Sequence, residues 1–440
     1  MSFPAHPLVD AARNARLVRP SGRVVECQGL LLEAQGPDAA LGEICDVQPR
    51  GAGGAIPAEV VGFRHGRVLL MPYGRLQSVG PGSAVVARGQ SWRIPVGHEF
   101  LGRVVGSMGF PLDGKPAPRA AALVPLRREP LNPLSRPPIN TVLETGVRAI
   151  DALLTLGRGQ RIGIFAGAGV GKTTLLGMLA RQIRADVIVL AMVGERGREV
   201  REFIEHNLGV AGLARTVVVV STSEQAALLR CNAAWAATAM AEWFRDQGAQ
   251  VALIMDSLSR FAMAMREVGL ATGEPSTARG YTPSVFASLP LLLERCGTVP
   301  GGGSISAFYT VLVDGDDLAG DPVADAVRAV LDGHLVLSRE LAERLHFPAI
   351  DIGKSISRLA STLASKDERA LVQRAVGMLH RLTRSRDLVE LGAYKPGSDP
   401  ELDLALQLAP RLDDFLRQGL DEATPRARAL QLLAATLKPQ

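Results

Sequence analysis

Nine consecutive residues, Ala166-Gly167-Ala168-Gly169-Val170-Gly171-Lys172-Thr173-Thr174, have the types and order that hold a polyphosphate. Glycines let the backbone wrap phosphate oxygens, while successive amide N–H groups and a helix N-terminus supply positive potential. In such a loop Lys172 reaches the β- and γ-phosphates and the Thr173 hydroxyl ligates Mg²⁺. Ala166 stands where the general pattern opens with glycine, a departure of one residue. The run follows an apolar strand-like segment and opens a helix-like one, which weighs against a chance glycine-rich turn.

Two carboxylates and an arginine could complete phosphoryl-transfer chemistry. Asp256 ends the apolar run Val251-Ala252-Leu253-Ile254-Met255, where an acidic side chain can hold the shell of a Mg²⁺ ion. Taken alone, an aspartate there would cap the next helix; beside Lys172 the metal role is favoured. Glu195 lies in Val193-Gly194-Glu195-Arg196-Gly197-Arg198-Glu199, at the end of a second apolar run. A carboxylate so placed can orient or deprotonate an attacking water, although the segment by itself also reads as a solvated charged turn. Downstream, Phe347-Pro348-Ala349-Ile350-Asp351-Ile352-Gly353-Lys354-Ser355-Ile356-Ser357-Arg358 reads as a turn, a short strand and an exposed arginine. An added guanidinium at the γ-phosphate assists transfer and is often supplied by a neighbouring subunit.

The elements that must position these groups follow from the apolar pattern. Buried-type strands are expected at 161–166, 187–193, 216–220, 251–255 and 306–313, alternating with helices, which implies a parallel sheet covered on both faces. The helix after Val220 is expected to open with a capping box between Ser221 and Glu224. Residues 23–96 carry short Val, Ile and Leu runs between Gly, Pro and Asp turns, the pattern of a small β-barrel or sandwich. A Pro- and Arg-rich stretch, 111–138, reads as an extended linker over the surface. Leu8, Ala12, Ala15 and Leu17 could share a helix face, a docking helix or a frayed terminus, and helical periodicity resumes from Lys366.

Composition narrows the class. Of 440 residues, 47% are hydrophobic and 21% charged, which excludes a disordered, collagenous or coiled-coil chain. No run approaches the roughly 18 apolar residues of a membrane span, and the first 20 residues lack the pattern of a secretory signal. A cytoplasmic protein is expected. A net charge of +5 and 4% aromatics argue against a nucleic-acid partner. Cys27, Cys45, Cys231 and Cys296 are too scattered for a zinc site or a disulfide framework, and read as small buried apolar residues.

With these motifs, the chain resembles the rotary and export ATPases with a RecA-like core, and within them the type III export ATPases of flagella and injectisomes. The resemblance rests on the segments around Lys172 and Glu195, on 348–357, and on Gly280-Tyr281-Thr282-Pro283-Ser284-Val285-Phe286-Ala287, Ala307-Phe308-Tyr309-Thr310-Val311-Leu312-Val313, Leu331-Asp332-Gly333-His334 and Gly392-Ala393-Tyr394. It runs from about residue 22 to 420. It implies an α/β protein with an N-terminal β-barrel (23–96), a RecA-like ATPase domain (97–365, with the linker at 111–140) and a C-terminal helical domain (366–440), assembled as a homohexamer. It implies ATP and Mg²⁺ as cofactors, Glu195 as catalytic base, Arg358 as an arginine finger in trans, and Phe347 stacked on adenine. Residues 1–22 look like the segment that binds a peripheral-stalk regulator. The stretch 391–400 looks like a loop facing a coiled-coil central stalk, or is an ordinary helix connection. The remaining implied partners are an export-gate membrane complex, export chaperones and unfolded substrates. The protein would then associate peripherally with the inner-membrane export apparatus. Ser276 and Thr282 depart from the proline frequent in the family.

Rival readings are a catalytic subunit of an F-type or V-type rotary ATP synthase, a hexameric RNA translocase of the transcription-termination type, and a catalytically dead ring subunit. Within the export class, the 392–400 stretch leans flagellar and Phe286-Ala287-Ser288-Leu289-Pro290 leans injectisome, with the balance slightly flagellar.

Overall fold

The computed structural model describes residues 19–51, 53–313 and 320–438, so the helix face read at Leu8 to Leu17 lies outside the described residues. The chain forms two compact units, one up to Arg93 with Glu267–Pro275, the other Ile94–Arg266 with the rest. In the first, six strands close a barrel in the order β1-β2-β5-β4-β3-β6. They are β1 (Ser21–Gln28), β2 (Leu31–Gln35), β3 (Glu43–Val47), β4 (Ile56–Arg64), β5 (Arg67–Pro72) and β6 (Ala84–Ser91). Inward residues such as Val24, Leu32, Val47, Val60, Leu70 and Val85 fill it, and closure leaves no open sheet edge. Cys27 is exposed rather than buried, because on β1 it points away from this core; Cys45, Cys231 and Cys296 are buried as expected.

The second unit opens with β7 (Arg93–Val96), β8 (Val104–Gly106) and β9 (Ala122–Pro125), then a two-stranded ribbon, β10 (Val142–Leu143) with β11 (Leu156–Gly157). Its main sheet adds β12 (Arg161–Ala166), β13 (Val187–Glu195), β14 (Thr216–Thr222), β15 (Gln250–Asp256), β16 (Gly297–Thr298), β17 (Ser304–Leu312), β18 (Gly333–Val336) and β19 (Ile356–Ser357). Nine strands run in the order β19-β18-β12-β17-β15-β13-β14-β8, with β16 beside β17. All pairs are parallel except those of β19 and β16. The unbroken Val, Ile and Leu runs of β13, β14 and β15 are buried almost throughout, as a sheet covered on both faces requires. Helix Ala227–Asp246 packs across β13, β14 and β15, its alanines allowing close approach and Trp235 meeting Phe261 edge-to-face at 5.8 Å.

Two local expectations are corrected. No capping box forms at Ser221, because β14 runs on through Thr222 and pairs with Val193 and Glu195 of β13. The helix begins at Ala227, and the Ser221 hydroxyl donates instead to Gln225 Oε1 at 2.7 Å. A capping box does open helix Lys366–Glu390, where Ser365 and Glu368 bond reciprocally at 2.8 and 3.2 Å. Within the Pro-rich stretch, β9 pairs with β7 and the Leu126 carbonyl accepts from buried Arg295 at 3.0 Å, so part of it is built into the structure.

The C-terminal helices Lys366–Glu390, Pro400–Leu416 and Arg426–Thr436 share one apolar core with the sheet region, reaching from Leu143 to Leu437. Arg148 and Gln418 fasten them: Arg148 Nε donates to the Phe415 carbonyl at 2.9 Å, and Gln418 Nε2 to the Gly146 carbonyl at 2.7 Å. No helix among the described residues is long and apolar enough to cross a membrane.

Candidate active site

In a parallel sheet the carboxyl ends of all strands lie along one edge, where ligands bind. Here β12, β15 and β13 deliver the phosphate loop, Asp256 and Glu195 to that edge. The loop Gly167–Gly171 leaves β12 and turns into helix Lys172–Gln182, which is anchored by buried Leu175, Leu176, Met178 and Leu179. Gly169 (φ 77°) and Gly171 (φ 88°) occupy the left-handed region that glycine tolerates and other residues resist. Gly171 has a second constraint, since a Cβ there would lie 2.9 Å from the Phe347 ring. Phe347, half-buried, thus flanks the phosphate loop, 175 residues further along the chain. Ala168, Gly169 and Thr173 are exposed; Val170 is buried and Thr174 half-buried.

Lys172 ties the cluster together. Its Nζ donates to Asp256 Oδ1 at 2.5 Å and lies 3.7 Å from Glu195 Oε1. Asp256 also accepts from the Thr310 hydroxyl of β17 at 2.8 Å. Glu195 reaches the group through a bulge: β13 slips register against β14 between Val193 and Glu195, with Gly194 at φ 69°. A bulge of this kind re-aims the side chain that follows it. Strand β13 therefore extends to Glu195 rather than ending at Val193.

Burial pushes the Glu195 carboxyl up to about 7, helped by the Asp256 charge and opposed by Lys172 and Arg260. Its Oε1 is buried and has no hydrogen-bond donor among the described residues. An orphaned acceptor beside an ammonium, next to a glycine-rich loop that opens a helix, suits a phosphate-bearing ligand and the water that attacks it. The donor set also suits Mg²⁺: Asp256 is a carboxylate bonded to Lys172, and the next residue, Thr173, carries an exposed hydroxyl at the start of the helix.

Two neighbours were missed in the sequence. Thr310 is one of several hydroxyl residues on β17, with Ser304, Ser306 and Tyr309, so its type alone gave no signal. Arg260 lies four residues past Asp256; its side chain lies against Gly194 and its buried Nε has no hydrogen-bond partner among the described residues.

Arg358 does not join this cluster. It follows β19, and its amide donates to the Asp332 carbonyl at 3.0 Å, level with Arg161 at the start of β12. The phosphate loop begins five residues further along β12, about 16 Å away at strand rise. The Arg358 side chain is exposed, and among the described residues its Nη2 makes only a long contact, 3.5 Å, to the Arg328 carbonyl.

Comparison with known proteins agrees with this architecture. Residues 146–357 match the nucleotide-binding domain of the ATP synthase alpha/beta family, and 364–435 match the T3SS EscN ATPase C-terminal domain. The chain is 51% identical over 416 residues to the flagellum-specific ATP synthase of Bacillus subtilis, covering 94% of each. It is 46% identical over 434 residues to a type 3 secretion system ATPase of Xanthomonas euvesicatoria, covering 98% of each. The assembled ATPase EscN of enteropathogenic E. coli, solved with its central stalk EscO, superposes with a TM-score of 0.87 at 41% identity, over 95% of this chain and all of that one. The chain belongs to the flagellar and type III secretion ATPases of the ATP synthase alpha/beta family.

Proposed function

We propose that this protein hydrolyses ATP to ADP and phosphate to energise protein export through a type III apparatus, working as a homohexamer around a central stalk. The observation that carries the chemistry is the meeting of Lys172, Glu195 and Asp256 at one sheet edge while Arg358 sits at the other end of the strands. The loop amides of Gly167–Gly171 and Lys172 cradle the β- and γ-phosphates, and Thr174 extends the loop's hydroxyl face. Thr173 and Asp256 hold Mg²⁺, which when bound offsets phosphate charge. Glu195, raised by burial, accepts a proton from the attacking water near neutral pH. Arg358 of one subunit reaches the γ-phosphate of its neighbour and stabilises the charge developing there. Phe347 stacks on adenine beside the loop. The C-terminal match at 364–435 supports export over the rotary-synthase and RNA-translocase readings.

The proposed setting is the cytoplasmic face of the inner membrane, with a peripheral-stalk regulator bound at the N-terminus, and with the export gate, chaperones and unfolded cargo as further partners. A chromosomal Lys172→Ala strain tests the reading. Joint loss of swimming and of secreted hook and filament proteins identifies flagellar export, the outcome we favour. Normal swimming with a different set of secreted proteins missing identifies an injectisome. No change in either overturns export.

A further inference from the structure

Next to Arg358 the surface holds a cavity of about 270 Å³ that the catalytic reading does not use. Its lining includes Asp325, Arg328, Leu331, His334, Ile356 and Arg358. Two guanidiniums therefore border one small space. Arg328 is held by Asp325, to which its Nη2 donates at 3.0 Å, while its carbonyl accepts the long contact from Arg358. Asp325 is the one carboxylate in the lining, so the two arginines are only partly compensated. His334 adds no charge: burial, with Arg328 and Arg358 nearby, keeps its imidazole below its ordinary range, and its Nε2 contacts the Lys354 carbonyl at 3.1 Å.

The backbone beneath the cavity is firmly set. Asp332, which accepts from the Arg358 amide, is itself fixed by a two-pronged bond from Arg161 at 3.0 and 3.1 Å. Gln160 Nε2 donates both to the Asp332 carbonyl and to Ser357 Oγ, at 3.0 and 3.1 Å. Like charges facing one cavity from a rigid frame are tolerable when an anion enters between them, and guanidinium forks suit phosphate oxygens.

We propose that Arg328 is a second guanidinium which, together with Arg358, receives the terminal phosphate of the neighbouring subunit's ATP, with Asp325 holding Arg328 until that phosphate arrives. This rests on the trans role of Arg358 given above. Arg358 is fixed through its backbone; Arg328 hangs from helix Pro322–Val330 and can turn from Asp325 to the phosphate.

The test is steady-state ATP hydrolysis by the full-length protein under assembling conditions. Arg328→Ala is expected to lower kcat about tenfold with KM changed less than about twofold, the pattern of a contact made in the transition state. Arg328→Lys should fall between wild type and Arg328→Ala, since charge is kept but the fork that matches phosphate oxygens is lost. Mixing Arg328→Ala subunits with Lys172→Ala subunits should restore turnover, because some interfaces then pair an intact loop with an intact arginine pair. Rescue of Arg358→Ala but not of Arg328→Ala in such mixtures overturns the proposal and leaves the trans reading standing. Rescue of neither overturns the trans reading itself. Wild-type kcat in Arg328→Ala also overturns the proposal. If Arg328→Ala does not assemble, Arg328→Gln, which keeps length and loses charge, carries the same measurements.

Discussion

The loop cluster and the arginine edge lie at opposite ends of the same strands and solve opposite problems. At the loop, two carboxylates sit within 4 Å of one ammonium, each side chain less than 15% exposed. The chain compensates its own charges there, and a ligand must take over contacts that already exist. At the edge, Arg358 is exposed and its guanidinium meets no carboxylate among the described residues. One region finds its counter-charges within a single chain; the other, in the proposed trans role, takes its anion from outside. Burial of charge demands partners in cis, whereas an exposed cation can wait for one in trans.

Removing the loop cation should give the largest effect. Lys172→Ala is expected to lower hydrolysis by about a thousandfold or more, and Glu195→Ala to do the same while retaining ATP binding. Near wild-type hydrolysis by Glu195→Ala, measured by phosphate release, would show that another group activates the water. Arg358→Ala should cost on the order of a hundred- to a thousandfold in kcat. Unlike a loop variant in its own site, it should recover in mixtures with Lys172→Ala, and failure at every ratio would erase the distinction between the two regions.

A pH profile sharpens the contrast. As the proposed base, Glu195 works only when deprotonated, and its carboxyl is raised to about 7, so kcat/KM should fall on the acid side of an apparent pKa near 7. The sign is fixed: protonation removes the base, so activity is lost as pH drops. An acid limb centred near 4 would mean that Glu195 is not the titrating group. Smaller still, Gly171→Ala forces a side chain into positive φ and against Phe347, and should weaken ATP binding about tenfold, read by nucleotide titration. Outside both regions, Ser365→Ala should leave kcat intact and lower stability by about 1 kcal/mol, measured by denaturant unfolding.

How much of this could be read in advance depended on whether the signal was local. The phosphate loop is contiguous, and the main strands announce themselves as unbroken apolar runs. Lys172, Asp256 and Glu195 could be singled out because strand ends in a parallel sheet converge. What escaped depends on the third dimension. Strand β8 is three residues long and exists only because β14 offers an edge. Ser221 carries a capping sequence, but pairing with β13 takes its backbone first. Arg260 and Thr310 became visible only when their elements came to lie beside Glu195 and Asp256. Arg328 is an ordinary helix arginine until β19 brings Arg358 next to it.

The placement of Arg358 level with the first residue of β12, while the loop follows the last, makes the subunit polar in a geometric sense. A twofold pair could place each arginine at the other's loop only if one face carried both groups, and it could not join two different faces. Head-to-tail repetition can, and it must close on itself or leave one unfinished site at an open end. An n-subunit arc then holds n − 1 complete sites, so each added subunit raises specific activity by less than the one before. Closure contributes the final site without adding a subunit.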